Sequence, residues 1–152
     1  MRFRNVAAVL AAGTTLIAAQ AFADDDLMMS KHDATVLTES DVGKPYWRME
    51  AQCAGMMGAA YAYDTDHHLG NEADTSKNDG IAMLNEAIAR LQMDRGIDQP
   101  AALNLAAVEV ETGRAAAKIE LDRHGTGPDS SFNLMRSACY DISAADRHHP
   151  DR

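Results

Sequence analysis

The chain is poor in the features from which most catalytic and redox sites are built. It has only two cysteines, Cys53 and Cys139, and no Cys-x-x-Cys, which excludes thioredoxin-like exchange and covalent attachment of a c-type haem. None of its serines stands in a Gly-x-Ser-x-Gly setting, so the nucleophile elbow of a hydrolase is missing. Carboxylates are plentiful, but no spacing singles out an acid–base pair, and the chain reads as not an enzyme. β-branched residues are few and apolar–polar alternation is absent, which removes the pattern of a half-buried strand. Basic residues are also scarce: 14 Lys and Arg face 23 Asp and Glu, a net charge of −9. That balance speaks against nucleic acid and anionic lipid surfaces, where a basic patch supplies the attraction.

What is present begins with an address. Arg2 and Arg4 precede an uncharged, largely apolar run from Val6 to Ala21. Ala21-Phe22-Ala23 then offers the small-x-small cleavage site, directly before Asp24-Asp25-Asp26. This is the order of a secretory signal peptide over residues 1–23, with cleavage between Ala23 and Asp24. The run is shorter than the roughly 20 residues that span a bilayer, so no stable membrane insertion is expected after cleavage. No lipobox cysteine follows it and no twin arginine precedes it. The expected location is the periplasm or the exterior. Cleavage removes two arginines and no acid, so the mature charge becomes −11. Acidity keeps an exported protein soluble, and it leaves a cationic envelope protein or ligand as the partner class that charge favours.

Residues 24–44 are charged, lack a steady apolar period, and read as a flexible acidic arm. Residues 45–149 read as one helical domain of four helices. The first opens near Pro45, which has no amide hydrogen to leave unpaired. Its seam is Met49, Cys53, Met56, Ala60 and Tyr63, widened by Trp47, Ala54, Gly58 and Tyr61. Gly55 and Gly58 each cost about 1 kcal/mol of helix propensity, which a close approach by a neighbouring helix would repay. Asp64 to Gly80 reads as a polar connection. A second helix then carries Ile81, Leu84, Ile88 and Leu91 inward, with Glu86 and Arg90 as a solvated ion pair, and stops at Gly96.

Asp98 and Pro100 restart the chain in a third helix antiparallel to the second. It has two apolar stripes, Leu103, Ala106, Val110, Ala117, Leu121 and Leu105, Val108, Ala115, Ile119, which marks it as the most buried of the four. Asp129 or Ser130 caps the fourth, whose seam is Phe132, Met135, Cys139 and Ile142. The architecture that follows is all-α, an up-down-up-down four-helix bundle. In such a bundle Cys53, eight residues after Pro45, and Cys139, eight before Arg147, lie at matching levels, about 12 Å along their helices. In an oxidising compartment the pair should form one disulfide stapling the first helix to the fourth.

Metal sites are thinly supported. If the first helix reaches that far, Asp64 and His68 share a face at i, i+4, with His67 beside them, and imidazole plus carboxylate suits zinc or copper. An EF-hand loop starting at Asp64 fails, having Leu69 and Thr75 where glycine and glutamate are required. Met28, Met29 and His32 in the arm form the other copper candidate. No cofactor is implied. The preferred reading is a non-enzymatic binding or structural component of a bacterial-type envelope. A periplasmic metal-binding protein is the alternative.

The leader makes a direct prediction. Intact mass of the exported protein should place its amino terminus at Asp24. A mass that retains Met1 to Ala23 would instead make the segment an anchor.

Overall fold

The computed structural model describes residues 26–29 and 42–149. The leader and its Ala23–Asp24 cleavage position lie outside the described residues. Four helices follow in order: α1 Tyr46–Asp66, α2 Gly70–Arg95, α3 Gln99–His124 and α4 Ser131–His148. Among the described residues there is no strand, only an isolated antiparallel bridge between Met28 and Pro45. The helices alternate in direction. Asp64 meets Ser76 across α1 and α2, Arg48 meets Glu109 and Tyr63 meets Gly125 across α1 and α3, and Tyr46 meets His149 across α1 and α4. These pairings make α1 and α3 parallel and both antiparallel to their connecting or closing helices. The bundle is up-down-up-down.

The disulfide joins Cys53 of α1 to Cys139 of α4, with Cα atoms 5.6 Å apart. Both cysteines are buried, and the Met56 sulfur lies 3.9 Å from Cys139 Sγ. Around them runs a core rich in methionine (Met29, Met49, Met56, Met57 and Met83), completed by Phe132, Ile142 and Leu121. Unbranched thioethers fill the irregular gaps left by the alanines and glycines of α1. A second cluster of Trp47, Ala51, Ala87, Ile88, Leu91, Ala102 and Ala106 closes the end where α1 starts and α2 turns into α3.

The helix termini form where local chemistry ends them. Asp98 accepts the Ala101 N–H and Ser130 accepts the Asn133 N–H, so both N-caps are side-chain caps. Gly96 takes the left-handed conformation after α2, at φ 61°.

The most buried helix is α1, not α3. Thirteen of its 21 residues are buried, against five of 26 in α3. The reason is a close crossing of those two helices. A Cβ on Gly55 would lie 1.9 Å from the Val110 carbonyl oxygen, and one on Gly113 would lie 1.9 Å from the Gln52 carbonyl oxygen. Two glycines thus let the backbones touch, and α1 is enclosed by α2, α3 and α4. Gly58, by contrast, faces only the Arg114 guanidinium at 3.7 Å. On α3 only the first stripe turns inward, through Ala106, Ala117 and Leu121. Leu103 is exposed, and so are Leu105, Val108, Ala115 and Ile119 of the second stripe.

Two further expectations change. The polar connection Asp64 to Gly80 is almost entirely helical: α2 begins at Gly70, and only His67 to Leu69 form the turn. Ala73 and Ser76 point inward, and Gly80 packs beside Met57 within the helix. Nor is Arg90 solvated. It is buried, bonds the buried Asp146 of α4, and approaches Asp94 one turn on at 3.6 Å. Glu86 instead receives Ser143 and Arg147 of α4. α4 lies over the face of α2 that the charge pattern assigns to water.

Part of the arm belongs to the body. Leu27 donates its N–H to Asp94 and accepts that of Tyr46, and Met29 pairs with Gly43 and Lys44. Asp26 is buried, accepts Trp47 Nε1 at 3.1 Å, and is gripped through both oxygens by Arg95 at 2.8 and 2.6 Å. Burial acts to raise its pKa. The hydrogen bonds from Arg95 and Trp47 and the arginine charge outweigh that and hold the carboxyl below its ordinary value. The Arg95 and Arg48 guanidinium carbons lie 5.1 and 5.5 Å from the Trp47 ring centre.

Two stability outcomes follow. Gly113→Ala should cost about 2 kcal/mol or more, since overpacking against backbone outweighs the roughly 1 kcal/mol of helix propensity gained. Gly58→Ala should be neutral or stabilising. Thermal unfolding of both variants checks the pair, and equal midpoints would refute the crossing.

The disulfide encloses 86 residues of sequence separation. Chain entropy gives about 4.6 kcal/mol for such a loop, an upper value because residual unfolded structure reduces it. Non-reducing peptide mapping should recover the Cys53 and Cys139 segments as one species, and Cys53→Ser should lower the unfolding midpoint markedly. Two free, alkylatable thiols in exported protein would contradict the linkage.

Candidate functional site

Close approach of α1 and α3 at their glycines leaves a groove further along, where the same two helices carry unequal side chains. On α1 the groove wall is Gly58, Ala59 and Ala62, too small to fill the space; on α3 it is Arg114, Lys118 and Leu121. The result is an open cavity of about 810 Å³. Its far end is closed by Tyr63, Asp66 and His67 at the end of α1 and by Asp122 to Gly125 at the end of α3.

The far wall is built tightly. The His67 ring stacks on Tyr63, with centres 3.9 Å apart and planes at 21°. His67 Nδ1 lies 2.8 Å from the Tyr63 carbonyl oxygen, to which it donates. Gly125, at φ 63°, ends α3 beside this pair. The positive φ requires glycine there, and a Cβ would also come within 2.9 Å of the Tyr63 hydroxyl and displace it.

In a chain of net charge −9 the groove is set apart by its cations. Arg114, Lys118 and Arg123 line it against the carboxylates of Asp66 and Asp122, with His67 and His124 adding imidazoles. Each fixed cation has a neighbour of opposite charge on its own helix: Lys118 with Asp122 at 2.8 Å, Arg114 with Glu111 at 3.6 Å, Arg123 with Glu120 at 3.9 Å. The cations are well exposed, and exposed pairs of this kind contribute only about 0–1 kcal/mol. An incoming anion can therefore displace them at little cost. The lining holds no serine, threonine or cysteine. A shallower depression of about 530 Å³ adjoins at His124 and reaches Ser130 and Ser131. Both hydroxyls are engaged there: Ser130 caps α4, and Ser131 donates to Glu120.

The residues expected to hold a metal do not come together. α1 ends at Asp66, and His68 has already left the helix with a positive φ of 59°, so the i, i+4 relation to Asp64 is lost. Asp64 is buried and turned toward α2, where Ser76 donates to its Oδ2 at 2.9 Å. His67 is committed to the Tyr63 stack. Among the described residues no group of three or more His, Cys, Asp or Glu is placed to hold a metal ion. Of the second set, Met29 is buried in the core, Met28 is exposed, and His32 lies outside the described residues.

The acidic stretch from Asp64 presents Asp66, Glu72 and Asp74 to solvent from two helix ends rather than from a loop. In the first half of α2, Asp79 accepts from Tyr140 of α4 at 2.5 Å. Burial, and then that carboxylate, push the phenol up to about 12.

Of the groove residues His67 is legible in the sequence, but Tyr63 as its stacking partner is not, nor are Arg114, Lys118 and Arg123. The i, i+4 spacing of Arg114 and Lys118 is visible in the sequence. That they face alanines of α1 is not, because it depends on where the two glycine contacts set the crossing.

The fold and groove define a disulfide-stapled, all-α four-helix protein. No protein family, curated protein or solved structure matches the chain. Among the described residues no helix is long and apolar enough to cross a membrane.

Proposed function

We propose that this protein is exported to the periplasm of a bacterial-type envelope and acts there as a non-enzymatic binding component, taking a small anionic ligand with an apolar or aromatic portion in the α1–α3 groove. The observation that carries this reading is the concentration of Arg114, Lys118 and Arg123 around one 810 Å³ groove of an otherwise acidic chain. A groove of this size is in the range of small-molecule sites, about 300–1,000 Å³. The exposed guanidinium groups suit a carboxylate, and the Tyr63–His67 stack with Ala59 and Leu121 suits the apolar remainder. The disulfide and the leader support the compartment, since structural disulfides persist where thiols are oxidised. Metal binding through Asp64 has less support, because its carboxylate is held inward by Ser76.

Titrating the mature, oxidised protein with benzoate and, separately, with benzyltrimethylammonium tests the reading by backbone chemical shifts. Benzoate should move Tyr63, His67 and Lys118, while the cation of similar shape should leave them unchanged. Replacing both Arg114 and Lys118 by glutamate should weaken benzoate by about tenfold or more, equivalent to at least about 1.4 kcal/mol. An equal response to both probes, or none to benzoate at about 10 mM, would overturn an anion site.

A further inference from the structure

The outward stripe of α3 has the spacing of a helix seam and is covered by no described residue. Leu105, Val108, Thr112, Ala115 and Ile119 follow one another at steps of three, four, three and four. All five are exposed, Leu105 to 41%, Val108 to 68% and Ile119 to 51%. The stripe runs along the face opposite Ala106, Gly113 and Ala117, through which α3 meets the rest of the bundle. An apolar row repeating every 3.5 residues on average is what a facing helix needs to seat its own row. Scattered exposed apolar residues are ordinary on a protein surface; a continuous row at this period is not.

We propose that this face pairs with the same face of a second copy, α3 against α3, antiparallel about a two-fold axis. The flanking charges select both the partner and the direction. Glu111 and Lys118 are seven residues apart on one flank of the seam, each directly preceding a seam residue. In an antiparallel pair that flank meets the same flank of the other copy, so Glu111 faces the partner copy's Lys118, and symmetry makes the contact twice. A parallel pair would instead bring Lys118 beside the partner copy's Arg123, a like-charge contact also made twice. The antiparallel register sets Val108 against the partner copy's Ile119 and Thr112 against the partner copy's Ala115, so small residues lie at the centre where the helices come closest. The present neighbours of the two charges yield easily. Lys118 is bonded to Asp122 and Glu111 lies 3.6 Å from Arg114, but both pairs are exposed. A single helix pair sits at or below the roughly 1,200 Å² that opens the range of stable interfaces, which places the affinity in the micromolar range. The seam residues lie outside the groove lining, but Lys118 borders both, so the dimer is judged by mass and by Val108→Glu rather than by Lys118 alone.

Sedimentation equilibrium on the exported, oxidised mature chain tests it, across about 1–500 µM protein. The apparent mass should double over that range. Val108→Glu and Ile119→Glu, both at exposed positions, should each leave the circular dichroism spectrum unchanged and hold the chain monomeric throughout. Glu111→Lys and Lys118→Glu should each weaken the dimer at least about fivefold, and the two together should restore it to within about twofold. A wild-type chain that stays monomeric at the highest concentration would overturn the proposal, whatever else covers the face. So would a dimer indifferent to Val108→Glu. A dimer strengthened by Lys118→Glu alone would overturn the antiparallel arrangement.

Discussion

The contact on which the rest of this structure depends is the one between backbones at Gly55 and Gly113. At each position any side chain would run into a carbonyl of the other helix, so the pair fixes both how near α1 and α3 come and at what level they cross. With α3 drawn in on one side, α2 folded back on another and α4 bound through the disulfide, α1 becomes the buried axis of the molecule. An axis helix must be apolar or small on most of its circumference, which explains why Ala, Gly, Met and Cys dominate between Met49 and Ala60, with Gln52 and the buried Glu50 as the polar exceptions. The groove is a consequence of the same crossing. Beyond the glycines the helices diverge in side-chain size, and the space between Ala62 and Lys118 is left open.

At the opposite end polar contacts add to the apolar cluster of Trp47, Ala51, Ile88 and Leu91. Arg95 binds Asp26, Asp26 binds Trp47, and Asp94 binds the Leu27 amide, which ties a short arm segment to the ends of α1 and α2. Arg90 and Asp146 do the same for α4 from inside the bundle. Removing one member of a buried pair costs far more than the pair itself contributes, because the survivor is left charged without water, so these contacts fix the register of α4 on α2 more than they add stability. Asp26 has a definite pH signature. Its pKa is lowered in the folded chain, so its contribution is complete above the ordinary carboxylate range and is lost as pH falls through the lowered value.

Helix number, order and the cysteine staple are legible in the sequence because each rests on local or periodic signals: the seam around Cys53, the caps at Asp98 and Ser130, the stop at Gly96. Gly70 to Gly80 misleads because two glycines and several acids imitate a loop. Tertiary packing overrides propensity there: Ser76 answers the buried Asp64, and Gly80 makes room for Met57. Arg90 misleads for the opposite reason. Its spacing to Glu86 is that of a surface pair, and nothing in the sequence announces that α4 will cover it. The candidate groove is less legible still. Of its lining side chains only His67 attracts attention in the sequence, and there as a metal candidate beside Asp64 and His68.

The two stripes of α3 show what periodicity can and cannot report. Both are apolar at helical spacing, and the natural inference from two apolar sides is a helix buried in its own domain. The structure turns one stripe inward from Ala106 to Leu121 and leaves the other in water. Period alone measures how apolar residues are arranged around a helix; it does not say whether the surface they meet belongs to the same chain. The distinction lies in the small residues. The inward stripe is interrupted by Gly113 and flanked by Ala106 and Ala117, as a backbone contact demands, whereas the outward one carries Leu105, Val108 and Ile119, side chains long enough to interdigitate with another row. α3 thus makes one close, backbone-to-backbone contact within the chain and presents longer apolar side chains on its outer face.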